Sequence, residues 1–391
     1  MRVSICLLAL LSFTGLVYAD DPDDQAPAAS APAAATPAPA PATPPAPPPK
    51  YGGWVFSGLA DGYITDNTNH PSNIADQLQN FDINNGQPEL SLAKFTIDKS
   101  DAVFGVHVDA GFGETMRLIH AADPAAVQHK ALRYFEQMYA IAKPKNWHGT
   151  EIDFGTFVTS AGAEVIESGS NWNYSRSLLF AWAIPYYHFG LKTTTPINKV
   201  VTIGFQLVNP WNTTMGDHKF TNIGVTLGVV KGIYTWNTNY YVGPNNPVIG
   251  TQPSGGNRNL IDTTLQVAPN DKVSFYINGD YGNNHNPVGG GSANWEGLAF
   301  AVRGQVSKKA ALAAHAEYFK DGQGFETGLA QNLMEGTLTG EYKLNSILTT
   351  RLEARHDYSN ELFFNVGKTP NSARGETTLT LAMIATFGPW K

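Results

Sequence analysis

From Tyr51 onward the chain is a succession of short runs in which apolar and polar side chains alternate one by one. A period of two belongs to β-strands with two unlike faces, and it leaves little room for helices. In 347–358 one face reads Leu348, Thr350, Leu352, Ala354 and the other Arg351, Glu353, Arg355, Asp357. In 200–210 Val201, Ile203, Phe205 and Leu207 oppose Thr202, Gly204 and Gln206. Sixteen such runs are expected, from 54–66 to 377–387. The fourth, 131–143, is the weakest, because Pro124 to Tyr139 also suits a short helix.

The connections alternate short and long. Lys99 to Asp101, Pro144 to His148, Lys231 and Asn345-Ser346 are short; 67–88, 114–130, 160–183 and 359–376 are long. A soluble sandwich has no reason to put every long loop at one end. A transmembrane barrel does, with tight periplasmic turns and long outer loops. About 21 residues per strand and loop is ample against the 9–11 that a tilted strand needs to span the bilayer. The fold expected is therefore all-β: an antiparallel up-and-down transmembrane barrel of about sixteen strands. An even count puts both ends on the periplasmic side. Closure is obligatory, since lipid cannot satisfy bare backbone N–H and C=O groups.

The register follows from charge. An Arg facing lipid at mid-membrane costs roughly 2–4 kcal/mol, so Arg351 and Arg355 mark the lumen side of their strand. Rings near strand ends, namely Trp54, Tyr63, Tyr186, Tyr187, Trp211, Tyr234, Trp236, Tyr240, Tyr281, Trp295 and Phe387, suit interfacial girdles.

The N-terminus fits the same destination. Arg2, the apolar run from Ile5 and the Val17-Tyr18-Ala19 site read as a signal peptide over 1–19. Residues 20–50 are a Pro/Ala-rich spacer expected in the periplasm, where it is an inert tether or an arm that touches the cell wall. Residues 51–391 are the barrel. Cys6 is the single cysteine and leaves with the signal, which excludes disulfides and cysteine-ligated metal. Without residues 1–50 the chain has 24 bases and 29 acids, a net of -5, which is no footprint for nucleic acid.

Gly149-Thr-Glu-Ile-Asp-Phe-Gly-Thr-Phe-Val-Thr159, Gly162-Ala-Glu164, Asn173-Tyr-Ser-Arg-Ser177 and Pro185-Tyr-Tyr-His-Phe-Gly190 resemble the OmpL-like putative beta-barrel porin-2 family of bacterial outer membranes. The resemblance would cover most of 52–391. It implies an outer-membrane barrel with passive solute passage, no named substrate, and a homotrimer. The comb Leu379, Leu381, Met383, Ala385, Phe387 looks like the C-terminal assembly signal of such barrels, although Gly388 to Lys391 follow it.

Loop 160–183 follows the fifth strand, the position from which sixteen-stranded porins fold a loop into the lumen. Its Glu164, Glu167 and Arg176 are candidates for a constriction, acids facing a base across the pore, against a plain surface loop. Candidate lumen-lining residues are Lys94, His107, Asp109, Asp153, Arg303, His315, Glu317, Glu335, Glu341, Arg351, Glu353 and Arg355. Their mixed signs argue against strong ion selectivity. His107 with Asp109, and His315 with Glu317, place an imidazole and a carboxylate on one face. Neither pair supplies the three or four ligands of a metal site, and both face the lumen rather than lipid, so no catalytic, metal or cofactor site is expected. The partners expected are outer-membrane lipid and small hydrophilic solutes. A receptor or adhesin barrel with a plugged lumen is the alternative, and a secreted soluble β-protein is a third possibility.

Overall fold

The computed structural model describes residues 52–73, 75–100, 103–214, 222–244, 255–285 and 290–388. The signal and spacer segments proposed for 1–50 lie outside the described residues.

Sixteen antiparallel strands close into one barrel. The first eight are β1 (Val55–Asn67), β2 (Pro88–Lys99), β3 (Phe104–Phe112), β4 (Phe135–Ala142), β5 (Glu151–Val158), β6 (Tyr187–Pro196), β7 (Val201–Val208) and β8 (Asn222–Lys231). The next seven are β9 (Tyr234–Pro244), β10 (Asn257–Asn270), β11 (Val273–His285), β12 (Ser292–Gln305), β13 (Ala310–Asp321), β14 (Gln331–Lys343) and β15 (Leu348–Ser359). A small hairpin, β16 (Phe364–Val366) with β17 (Thr369–Ala373), stands in the last outer loop, and β18 (Gly375–Phe387) completes the wall.

Each strand pairs with its neighbour in sequence, and β18 pairs with both β1 and β15. Closure runs from Gly58 opposite Phe387 to Asn67 opposite Thr378, so no backbone edge faces lipid. The alternation sets the faces as the charges require. Leu352 is 65% exposed on the outside and Phe205 44%, while Arg351, Glu353 and Arg355 are buried inside. A stacked second sheet would have covered Leu352 and Phe205.

Two expectations need correction, and one element was not expected. The fourth strand begins at Phe135, not 131, because the chain before it forms two short helices, α1 (Glu114–Ile119) and α2 (Pro124–Gln128). Asp123 caps α2 by accepting the Ala125 N–H at 2.9 Å, and Pro124 fills the first helical position, where no N–H is needed. The aromatic set also divides. Tyr234, Trp236, Tyr240, Tyr281 and Phe387 are more than 40% exposed, as a girdle requires, and Trp54 is 36% exposed. Tyr63, Tyr186, Tyr187, Trp211 and Trp295 are buried and fill the interior instead. The hairpin β16–β17 was not anticipated; its turn contains Gly367 at a φ of 54°.

Candidate functional site

The inward parity of most strands carries polar side chains, with apolar exceptions such as Ala299 and Ala301 on β12, and these polar side chains pair across the wall. Lys94 (β2) lies 3.3 Å from Asp109 (β3) and 3.2 Å from Glu136 (β4). His107 Nδ1 meets Asp98 at 3.0 Å and its Nε2 meets Asp109 at 3.2 Å, with the ring stacked on Tyr139. Asp153 (β5) pairs with Lys192 (β6) at 3.2 Å. Glu341 (β14) bridges Arg303 (β12) at 2.9 Å and Arg351 (β15) at 2.8 Å. His315 (β13) meets Glu335 (β14) at 2.6 Å, and Arg355 (β15) meets Asp357 at 2.8 Å.

The segment between β5 and β6 leaves the wall and crosses this lumen. Near its start the Ser160 hydroxyl is 2.9 Å from the Tyr241 hydroxyl (β9), and the Ala163 N–H donates to Asn278 (β11) at 3.1 Å. It then spans to the opposite side. Lys94 donates to Glu167, Ser168 donates to Asp61 (β1), and Tyr174 Oη donates to Asp61 at 2.9 Å. Arg351 donates to the carbonyls of Ser168 at 2.6 Å, Asn171 at 2.7 Å and Asn173 at 3.0 Å. Glu353 accepts the N–H groups of Tyr174 and Ser175, and Glu317 accepts those of Leu178 and Leu179. Arg355 donates to the Arg176 carbonyl at 2.6 Å, and Trp295 (β12) closes the circuit on the Ala183 carbonyl at 3.0 Å. A loop carries backbone donors and acceptors that no sheet satisfies. Here charged wall residues satisfy them, which lets an irregular segment lie deep in the barrel.

The first outer loop, 68–87, packs on this segment. Phe81 is fully buried against Phe180 and Tyr186, with ring centroids 5.9 and 5.6 Å away, and the Arg176 guanidinium lies 4.5 Å from its ring centre. Trp182 Nε1 donates to the Leu78 carbonyl at 3.1 Å. Beside Phe81, Asp82 is 1% exposed, and neither carboxylate oxygen has a hydrogen-bond partner among the described residues. Burial pushes its carboxyl up to about 7, with Arg355 the main opposing influence.

The structure brings the wall candidates together and recasts the three loop candidates. Glu164 accepts the Ser177 N–H at 2.8 Å, Glu167 holds Lys94, and Arg176 donates to the carbonyls of Tyr174 at 2.6 Å and of Ile166. The loop's own backbone and the wall use their charges first. The paired histidine also differs: His315 bonds to Glu335, not to Glu317, whose oxygens take two backbone amides. Two groupings have metal-ligand spacing, Asp109–Glu136–Glu167 and His315–Glu317–Glu335. In the first, the Lys94 ammonium already contacts all three carboxylates. In the second, Glu335 binds His315 and lies 3.8 Å from Arg355, a cation that disfavours a second one.

Sequence reasoning missed Asp61, Tyr174 and Asp82. Asp61 shares the inward parity of Leu59 and Tyr63 and was legible. Tyr174 and Asp82 lie in aperiodic segments that carry no parity signal. Below the crossing segment, Gly169 to Trp172 form the ceiling of a cavity of about 480 Å³ whose walls carry Arg303, Glu341, Lys343 and Arg351.

The model of the family described as "Putative beta-barrel porin-2, OmpL-like" matches residues 54–387. No curated protein matches the chain. Among solved structures, the outer membrane channel DcaP of Acinetobacter baumannii is similar with a TM-score of 0.58 at 8% identity, covering 87% of this chain and 100% of that one. An anion-selective porin from Comamonas acidovorans gives 0.57 at 8% identity, covering 85% and 99%. OmpT, an outer membrane protein of Vibrio cholerae, gives 0.56 at 11% identity, covering 85% and 97%. At these identities the likeness is one of fold.

Proposed function

We propose that this chain, which belongs to the OmpL-like putative beta-barrel porin-2 family, is a narrow outer-membrane porin that lets small hydrophilic solutes diffuse passively. One observation carries the reading. The segment between β5 and β6 crosses the lumen and is bonded to walls on both sides, at Asn278 and at Asp61. What remains below it is a polar cavity of about 480 Å³ against a charged wall, suited to hydrated ions and small polar molecules rather than to bulky ones. Paired charges of both signs line the wall, which favours weak selectivity. The chain supplies no catalytic step in this reading and acts as a channel, not an enzyme.

Planar-bilayer recording tests it. Small, voltage-tolerant steps from folded protein support the porin, and silence from folded protein refutes it. A second reading, a receptor or adhesin barrel with a sealed lumen, is favoured by how completely the wall satisfies the crossing segment. Liposome swelling that appears only after deletion of 160–183 would select that reading.

A homotrimer belongs to the same proposal. Wall strands β4, β5 and β7 have only 8 residues, whereas β10 and β12 have 14. Eight residues at ~3.3 Å each and ~40° tilt cover about 20 Å, short of the ~25 Å apolar band. A neighbouring copy against this low wall, where Phe154 is 57% exposed, would remove the mismatch. The V. cholerae OmpT structures include one described as a trimer form. Export by a signal peptide at 1–19, and a periplasmic spacer at 20–50 that reaches toward the cell wall, complete the proposal.

A further inference from the structure

The seven short turns, which join β2 to β3, β4 to β5, β6 to β7, β8 to β9, β10 to β11, β12 to β13 and β14 to β15, lie at the periplasmic end, and their charge is not that of the chain. Counting each turn with the two strand residues on either side, the sequence holds nine lysines and four carboxylates, in a chain whose net charge is -7. Two of the lysines are engaged: Lys99 donates to the Gly52 carbonyl and lies over the Trp54 ring, and Lys143 pairs with Glu151 at 2.7 Å. The other seven are exposed and have no ion pair among the described residues; six of them belong to the rim, while Lys343 lines the cavity below the crossing segment.

Each of most turns also presents a bulky apolar side chain that a water-facing turn has no use for. Trp147 (55% exposed) stands beside Lys145, Ile197 (55%) beside Lys199, and Ile233 beside Lys231. Val306 (66%) precedes Lys308 and Lys309. Lys272 flanks the exposed Val273 that begins β11. A greasy residue two positions from a long cationic stem is the pattern of a surface that sits at a lipid headgroup boundary. The apolar group enters the acyl edge, and the ammonium reaches outward to phosphate.

We infer that these turns form a lysine collar that holds the phosphate groups of anionic phospholipids in the periplasmic leaflet. The occupant is assigned by charge and by place. The collar is at the end of the barrel that meets phospholipid, its surplus is positive, and its apolar members lie beside the cations rather than in a separate patch. The collar would fix the barrel's height in the membrane at the end where the wall is anchored by turns alone.

Native mass spectrometry of the full chain in detergent tests this. The protein is titrated with phosphatidylglycerol and with phosphatidylethanolamine of matched acyl chains. The expected result is about fivefold greater retention of phosphatidylglycerol at low salt, falling toward parity as the ionic strength is raised. Replacing the six rim lysines (Lys145, Lys199, Lys231, Lys272, Lys308 and Lys309) by Gln should abolish the preference while heat-modifiable gel mobility stays that of a folded barrel. Should that variant not fold, the triple variant K199Q/K231Q/K272Q is read instead, with the preference expected to fall by about half. Equal retention of the two lipids by the wild type, or an unchanged preference in the folded variant, overturns the inference. So does displacement of phosphatidylglycerol by inorganic phosphate under conditions where chloride at equal ionic strength leaves it bound. That result would identify free phosphate as the ligand. Because the readout is lipid retention, it is independent of whether the lumen conducts.

Discussion

Asp61 on β1 accepts the Tyr174 hydroxyl at 2.9 Å, inside the barrel and across 113 positions of sequence. Ser168 donates to the same carboxylate, so one side chain near the barrel seam holds the far reach of the crossing segment at two points. Tyr174→Phe removes one donor and leaves a buried carboxylate less well satisfied, a loss of about 1–3 kcal/mol. The expected outcome is a noisier, larger conductance with assembly intact. Single-channel recording beside limited proteolysis of 160–183 checks it; unchanged traces and cleavage would show that the contact does not position the segment.

Arg351 should matter more. Its guanidinium serves three loop carbonyls and Glu341 together, and it is 2% exposed. Arg351→Met keeps the length but strands Glu341 with only Arg303 and frees three carbonyls. Breaking a buried pair this way costs about 3–5 kcal/mol. The crossing segment is expected to become protease-sensitive, and the unfolding temperature to fall. Arg351→Lys should rescue little, because one ammonium cannot reproduce the planar fork that spans Ser168, Asn171 and Asn173.

The wall was legible in the sequence and the filling was not, for a physical reason. Leu352 and Arg355 lie on opposite faces by parity alone, and lipid makes the wrong parity expensive, so the strands declare their register. Trp295 obeys the same parity as Ala299 and Ala301 and is buried, yet a ring at a strand end also satisfies the requirements of a girdle. Type and place did not separate the two uses; parity would have. For Glu164 and Arg176 the charges were visible but their partners were backbone groups of their own loop, which no side-chain pattern encodes. Phe81 and Asp82 lie in a segment without periodicity, and only the assembled interior shows that it turns inward.

Trp295 also explains a glycine. Gly282 (β11) pairs directly with it, and a Cβ on Gly282 would lie 1.8 Å from the indole Cε2. The ring lies flat over the glycine and stacks on Phe325 at 5.8 Å. Gly282→Val must expel the indole, losing its bond to the Ala183 carbonyl as well. Overpacking of this kind costs about 1–3 kcal/mol or more. Reduced yield of the heat-modifiable form is expected, with partial recovery when Trp295→Leu is added. A Gly282→Val single variant that assembles like the wild type would show that the ring has room to move.

The buried Asp82 makes stability depend on pH in a definite direction. Its carboxyl titrates at about 7 in the folded protein against 3.8 for an ordinary aspartate, because burial disfavours the charged form. Between those values the folded state holds a proton that the unfolded state has released, so stability falls as pH rises from about 4 to about 7. It is unaffected by this group below the lower value and levels off above the upper one. Roughly three pH units at ~1.36 kcal/mol each set an upper bound of about 4 kcal/mol. Asp76 on the same loop is pushed up to about 6 by burial and adds to the slope. Asp82→Asn keeps the shape without a titrating proton. It should raise the unfolding temperature at pH 8 relative to the wild type by clearly more than at pH 5, and it should flatten the profile between them. Unfolding temperatures of both proteins at pH 5, 6, 7 and 8 decide the point. Parallel profiles for the two proteins would mean that Asp82 stays ionised, and that Arg355 and Arg176 stabilise its charge more than burial opposes it.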